Sequence, residues 1–205
     1  MSAPLITVGH GRLDADDLAT LLTGAGVQHL VDVRRFPGSR ANEAAAKGAI
    51  PEICERAGIV YRWEERLGGR RRLTKDEDAA SVDVWWQVAA FRAYAAYTRT
   101  AEFRAGFDAL MADVDAARTA ILCSEAVWWR CHRRIIADVA MLERGIEVRH
   151  LMHDGRLREA EPSPGARLDA EGHVVWDVRE DQGDRENQES REDGADRTAR
   201  GAGAR

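Results

Sequence analysis

Short apolar runs that stop at a glycine or a charged residue alternate along this chain with longer segments whose apolar positions recur every three or four residues. The first run, Leu5-Ile-Thr-Val8, ends at Gly9-His10-Gly11-Arg12, the pattern of a buried strand delivering a glycine-flanked histidine into a loop. Asp14 or Asp16 then caps a helix carried by Leu18, Leu21 and Leu22 and closed by Gly24 and Gly26. Residues 27–33 read as a second strand that ends at Asp32 and runs through Arg34 into a turn at Pro37-Gly38. From Asn42 an alanine-rich helix is broken at Gly48, resumes near Pro51 and stops at Gly58.

Residues 59–63 form a third predicted strand, leading into Leu67-Gly68-Gly69-Arg70. Residues 82–98 read as a helix, with Val84, Val88, Phe91 and Ala95 spaced three or four apart. Thr100 caps the next helix, whose Phe103, Phe107, Leu110 and Met111 share a face. Residues 119–123 make a short buried strand ending at Cys123. A loop with Glu125, Trp128 and Trp129 follows, then a helix whose first turn holds Cys131, His132 and Arg133. Gly145 ends that helix, residues 146–151 are a further strand, and residues 172–178 offer a short edge strand.

Repetition of strand, helix and strand predicts an α/β fold: a single doubly wound, mostly parallel sheet with helices on both faces. We assign residues 1–155 to this domain, 156–179 to a C-terminal extension and 180–205 to a disordered charged tail, which has no aromatic and no apolar residue larger than alanine.

Charge refines the picture. The net charge of −5 argues against a wholly basic nucleic-acid binder, but 28 of the 30 basic residues are arginines, and Arg12, Arg34, Arg35, Arg40, Arg70 and Arg133 all follow predicted strand ends. A planar guanidinium fork suits phosphate or carboxylate, so an anionic small molecule or a nucleic acid is the expected partner. Three cysteines and no apolar leader point to a reducing cytoplasm, and no apolar run is long enough to span a membrane.

Taken in order, Gly9-His10-Gly11, Asp32-Val-Arg34 with Pro37 and Ser39, Leu67-Gly-Gly-Arg70, Phe91-Arg-Ala-Tyr94, Cys123-Ser-Glu125 and Cys131-His-Arg133 resemble the bacterial family known as domain of unknown function 488. The likeness runs from Ile6 to Leu151 and implies a small α/β domain with polar motifs gathered at one sheet edge; it brings no settled reaction and leaves the cofactor unknown. The departure lies at residues 41–47, where relatives carry an asparagine with nearby proline and phenylalanine, while alanines follow Asn42 here.

Within these motifs, Glu125 and His132 are the candidate acid–base pair, with His10 assisting. The alternatives are a helix-capping Glu125 and a His132 that satisfies a carbonyl in the turn. Cys131, beside His132 and arginines, is the candidate reactive thiol, the alternative being a cysteine packed under the loop. Cys123 is either a structural thiol or the anchor of an anion loop. Its spacing to Arg130 is one residue too long for the loop of cysteine-dependent phosphatases, and Glu125 would repel a phosphate. Arg12, Asp32, Arg34, Ser39, Gly69, Arg70, Tyr94, Cys123 and Arg133 are the candidate ligand-binding residues, with pairing to an arginine as the other reading of Asp32. Trp128, Trp129 and Tyr94 either stack a base or form a packed wall, and Trp85, Trp86 and Cys54 are expected in the core. No metal site is expected: adjacent Cys131 and His132 seldom reach one ion, and no fourth ligand stands at zinc spacing. The enzyme reading competes with a non-catalytic nucleotide- or nucleic-acid-binding module.

Overall fold

The computed structural model describes residues 3–39 and 41–177. The expected tail and Arg40 lie outside the described residues. Strand β1 (Leu5–Gly9), helix α1 (Ala15–Gly24) and strand β2 (His29–Asp32) open the fold. Asp14 caps α1 by accepting the Asp17 amide. The broken helix appears as a 3-10 turn at Glu43–Ala45 followed by α2 (Ala49–Ala57), which lies between Gly48 and Gly58, both in left-handed backbone. Strand β3 (Val60–Trp63), helices α3 (Lys75–Ala79), α4 (Ala89–Tyr97) and α5 (Ala101–Ala116), strand β4 (Thr119–Cys123) and helix α6 (Arg133–Arg144) follow.

Strands β5 (Val148–Leu151) and β6 (Leu157–Glu159) complete a six-stranded sheet of order β3-β2-β4-β1-β5-β6, parallel except where β6 runs against β5. Alternation along β1 and β4 sends side chains to opposite faces. Ile6, Val8, Ala120 and Leu122 pack with α1 and α2 in one core, while Leu5, Ile121 and Cys123 pack with α4, α5 and α6 in the other. Cys54 is buried in the first, and Trp85 and Trp86 are buried in the second.

Two expectations are corrected. Residues 82–88 are not helical. Asp83 is buried, holds Arg99 and accepts the Trp176 amide, and the Trp85 amide donates to the Trp176 carbonyl, so tertiary hydrogen bonds replace the helical ladder until α4 begins at Ala89. The expected edge strand near residues 172–178 is β8 (Val174–Trp176). It pairs with β7 (Ala166–Leu168) in a separate hairpin rather than with the main sheet. The fully buried Trp176 ties this hairpin to α6 through its indole N–H, which donates to Asp138 Oδ2 at 2.8 Å. Among the described residues no helix is long and apolar enough to cross a membrane.

Candidate functional site

Helices leave β1 and β4 toward opposite faces of the sheet, so the carboxyl ends of these neighbouring strands are the switch point of the topology, where ligands bind in open α/β sheets. There the two chains stay in register past the sheet, with the His10 amide on the Cys123 carbonyl at 3.0 Å and the Gly11 amide on the Ser124 carbonyl at 3.0 Å. Only glycine fits at position 9, because an added Cβ would stand 1.7 Å from the Glu125 carbonyl oxygen and 2.8 Å from Arg133 Nη2. His10 is 2% exposed. Its Nδ1 lies 3.1 Å from the Gly11 carbonyl, which can only accept, so Nδ1 carries the proton. The buried Nε2 therefore presents a bare lone pair, with no hydrogen-bond partner among the described residues. Burial first and the Arg34 charge second lower the His10 pKa, favouring the neutral ring.

At the end of β2, Asp32 and Arg34 close on each other. Arg34 Nε donates to Asp32 Oδ1 and Oδ2 at 2.9 and 3.0 Å, and Nη2 donates to Oδ2 at 2.5 Å. The Arg34 amide and the Tyr61 hydroxyl also donate to the same carboxylate, at 3.0 and 3.1 Å. Burial, with Asp32 adjacent, pushes the Tyr61 hydroxyl pKa up, which keeps it a donor. Both members of the ion pair are buried, so pairing to an arginine is the reading of Asp32 that the geometry favours, and most of the Arg34 fork is spent on it.

On the other face, three donor atoms converge. Cys123 Sγ lies 3.8 Å and Cys131 Sγ 3.7 Å from His132 Nδ1, and all three atoms fall within 4.8 Å of one another. His132 Nε2 is 3.0 Å from the Val33 carbonyl, which fixes the proton on Nε2 and turns the Nδ1 lone pair toward the sulfurs. Cys131 is not in the first turn of α6. It precedes the helix in extended backbone (φ −134°, ψ 147°), whereas His132, the N-cap, is already helical (φ −59°, ψ −13°). That change of backbone at the junction brings two adjacent side chains together, so the spacing objection to their sharing one partner does not apply. Arg133, 1% exposed, donates from Nε to Cys131 Sγ at 3.3 Å and from Nη2 to the Glu125 carbonyl. Burial raises the Cys131 pKa, but the hydrogen bond from Cys123 and the adjacent Arg133 guanidinium outweigh it and hold the thiol well below its ordinary value. Cys123, as the donor in that pair, is pushed up.

The family model described as domain of unknown function DUF488 matches residues 14–140. The chain belongs to this family. No curated protein and no solved structure matches it. The matched span takes in Asp32, Cys123, Cys131, His132 and Arg133, while His10 lies just before it.

In this DUF488 member the motif residues gather chiefly around His132. Gly69 leaves room beside the ring, since a Cβ there would stand 3.0 Å from Nδ1. Tyr94 meets the ring edge-on with centroids 4.9 Å apart, and its hydroxyl donates to the Leu67 carbonyl at 2.6 Å. Tyr94 is therefore buried wall. Trp128 likewise is buried and stacks on His150 at 4.1 Å. Glu125 is exposed, and its carboxylate makes no hydrogen bond or ion pair among the described residues; its backbone carbonyl is the part engaged, by Arg133. Ser39 Oγ accepts the amides of Ala41 and Asn42 and so shapes its own turn.

Arg12 and Arg70 are exposed and have no carboxylate partner among the described residues. Arg70 lies over Phe36 and holds a φ of 61°, unfavourable for a side chain of its size. A surface groove of about 410 Å³ beside Arg12 also draws on Asp14, Glu43, Glu52 and Arg56, a charge mixture ill suited to an anion.

Two supporting residues escaped the sequence reading. Asn42 Nδ2 donates to the Gly11 and Leu13 carbonyls at 3.1 and 3.0 Å, tying the β2–α2 loop to the β1–α1 loop. His153 Nε2 lies 2.7 Å from the Gly9 carbonyl. Asn42 stands out as a helix opener and as the residue before the alanines that depart from the family pattern, and His153 as part of a turn; neither position carries a signal for a contact so distant in sequence.

Proposed function

We propose that this DUF488 member is an enzyme acting on a phosphate-bearing anionic ligand at the carboxyl edge of β1 and β4, with His10 as the proton acceptor. The observation that carries this reading is the buried, bare Nε2 of His10. A nitrogen with no partner is costly to bury and is the expected state of a base waiting for a substrate proton. His132, whose Nδ1 faces two sulfurs, is less suited to that role. The support for an anion is the exposed Arg12 and Arg70, which meet no carboxylate among the described residues, together with the buried Arg133, whose hydrogen bonds among those residues go to a sulfur and a carbonyl.

The test is a melting-temperature screen of the full chain against inorganic phosphate, mononucleotides, nucleoside diphosphates and short single strands. An anion at about 100 times its dissociation constant should stabilise by roughly 2.7 kcal/mol, a rise of several degrees. That rise should shrink in Arg12→Ala and Arg70→Ala. His10→Asn keeps a donor for the Gly11 carbonyl but removes Nε2; it should retain the rise and lose turnover of the bound compound, followed by phosphorus NMR. Turnover equal to wild type in His10→Asn removes His10 from the chemistry. Binding without turnover in the unmodified chain leaves a binding module, and no rise with any anion ends the phosphate reading.

A further inference from the structure

We infer that Cys123, Cys131 and His132 form a binding site for a thiophilic metal ion, zinc by its chemistry, held by two sulfurs and one imidazole nitrogen with the remaining position open. Zinc–sulfur bonds of about 2.3 Å and zinc–nitrogen bonds of about 2.0–2.1 Å at tetrahedral angles place sulfur and nitrogen roughly 3.6 Å apart. Here the two sulfur–nitrogen separations are 3.8 and 3.7 Å, and the whole trio fits within 4.8 Å. Small side-chain movements would complete three corners of a tetrahedron.

Two further features suit a metal. His132 donates its other ring N–H to the Val33 carbonyl, the outer contact that fixes the tautomer and orientation of a metal-bound histidine. The Arg133 N–H on Cys131 Sγ supports the cysteinate form that a metal needs. Two sulfurs and an imidazole favour zinc over calcium or magnesium, which take oxygen ligands. Three protein ligands with an open fourth position are the arrangement of reactive rather than purely structural zinc, and no fourth protein donor joins the trio among the described residues. This inference does not depend on the role of His10.

Cobalt(II) titration of the reduced full chain without oxygen tests it. The expected result is a thiolate-to-cobalt charge-transfer band with visible absorption of tetrahedral cobalt, saturating at about one equivalent per chain and displaced by zinc. Cys123→Ser, Cys131→Ser and His132→Gln should each weaken zinc binding at least about tenfold, while Cys54→Ala, altered in the opposite core, should leave it unchanged. Because a variant in this buried cluster can fail for want of folding, zinc-edge X-ray absorption of the unmodified chain supplies the second reading, with sulfur scatterers expected at about 2.3 Å. Absence of the thiolate band, its survival in both cysteine variants, or zinc surrounded only by oxygen and nitrogen would overturn the assignment.

Discussion

Asp32→Ala is expected to destabilise the fold by about 3–5 kcal/mol, the cost of leaving one member of a buried ion pair without its partner. The carboxylate is fully buried and takes hydrogen bonds from the Arg34 side chain, the Arg34 amide and the Tyr61 hydroxyl. Alanine strands all of these donors, and the guanidinium keeps its charge because its pKa is too high to escape by deprotonation. For a chain of this size the melting temperature should fall by roughly ten degrees or more. The double variant Asp32→Ala/Arg34→Met should recover much of the loss, since an apolar side chain of similar length needs no counter-charge. A loss under about 1 kcal/mol in denaturant unfolding would show that water reaches the pair. It would also return Arg34 to the set of arginines free to hold a ligand. With the pair closed, phosphate should stabilise Asp32→Ala more than the parent chain, because the variant releases a fork that the parent spends on its own carboxylate.

That pairing shows what a sequence can and cannot disclose. Asp32 and Arg34 stand two residues apart at a strand end, so period-two geometry places them on one side, and pairing was a legible alternative. Residues 119–123 were equally legible, because a fully buried strand reads as an unbroken apolar run, and Thr100 declared its helix by capping chemistry. Residues 82–88 were not. Their spacing mimics a helix, but their conformation is decided by Asp83 and Trp176, 93 positions apart in sequence. The site was legible as a set of residues and not as a geometry. Cys123, Cys131, His132, Gly69 and Tyr94 were all named from motifs, yet their convergence on one imidazole depends on the backbone change between Cys131 and His132. The expected weight on Glu125 followed from its place in the loop. Whether its side chain or its carbonyl faces inward is a rotation that sequence does not encode.

Lowering the pH from 7 to 5 should cost about 2 kcal/mol of stability through His150 alone. His150 sits in β5, buried, with Nδ1 2.7 Å from the Thr7 hydroxyl and its ring stacked on Trp128. Burial, followed by the charges of Arg133, Arg158 and Arg134, lowers its pKa from 6.5 to about 3. Between those values the unfolded chain takes up a proton that the folded chain refuses. Stability is therefore whole above 6.5 and drains as the pH falls toward about 3. His10, also depressed, adds loss of the same sign. Other shifted groups, Cys131 among them, titrate alike in the parent and in His150→Phe, so the difference between the two chains in denaturant unfolding at pH 7, 6 and 5 isolates His150. His150→Phe retains an aromatic ring against Trp128 and removes the titration. Its stability should start lower, because the Thr7 hydroxyl loses its partner, but should vary much less with pH. An unchanged slope in His150→Phe would mean that His150 is protonated in the fold, with an acceptor for its second N–H that the Trp128 stack does not provide.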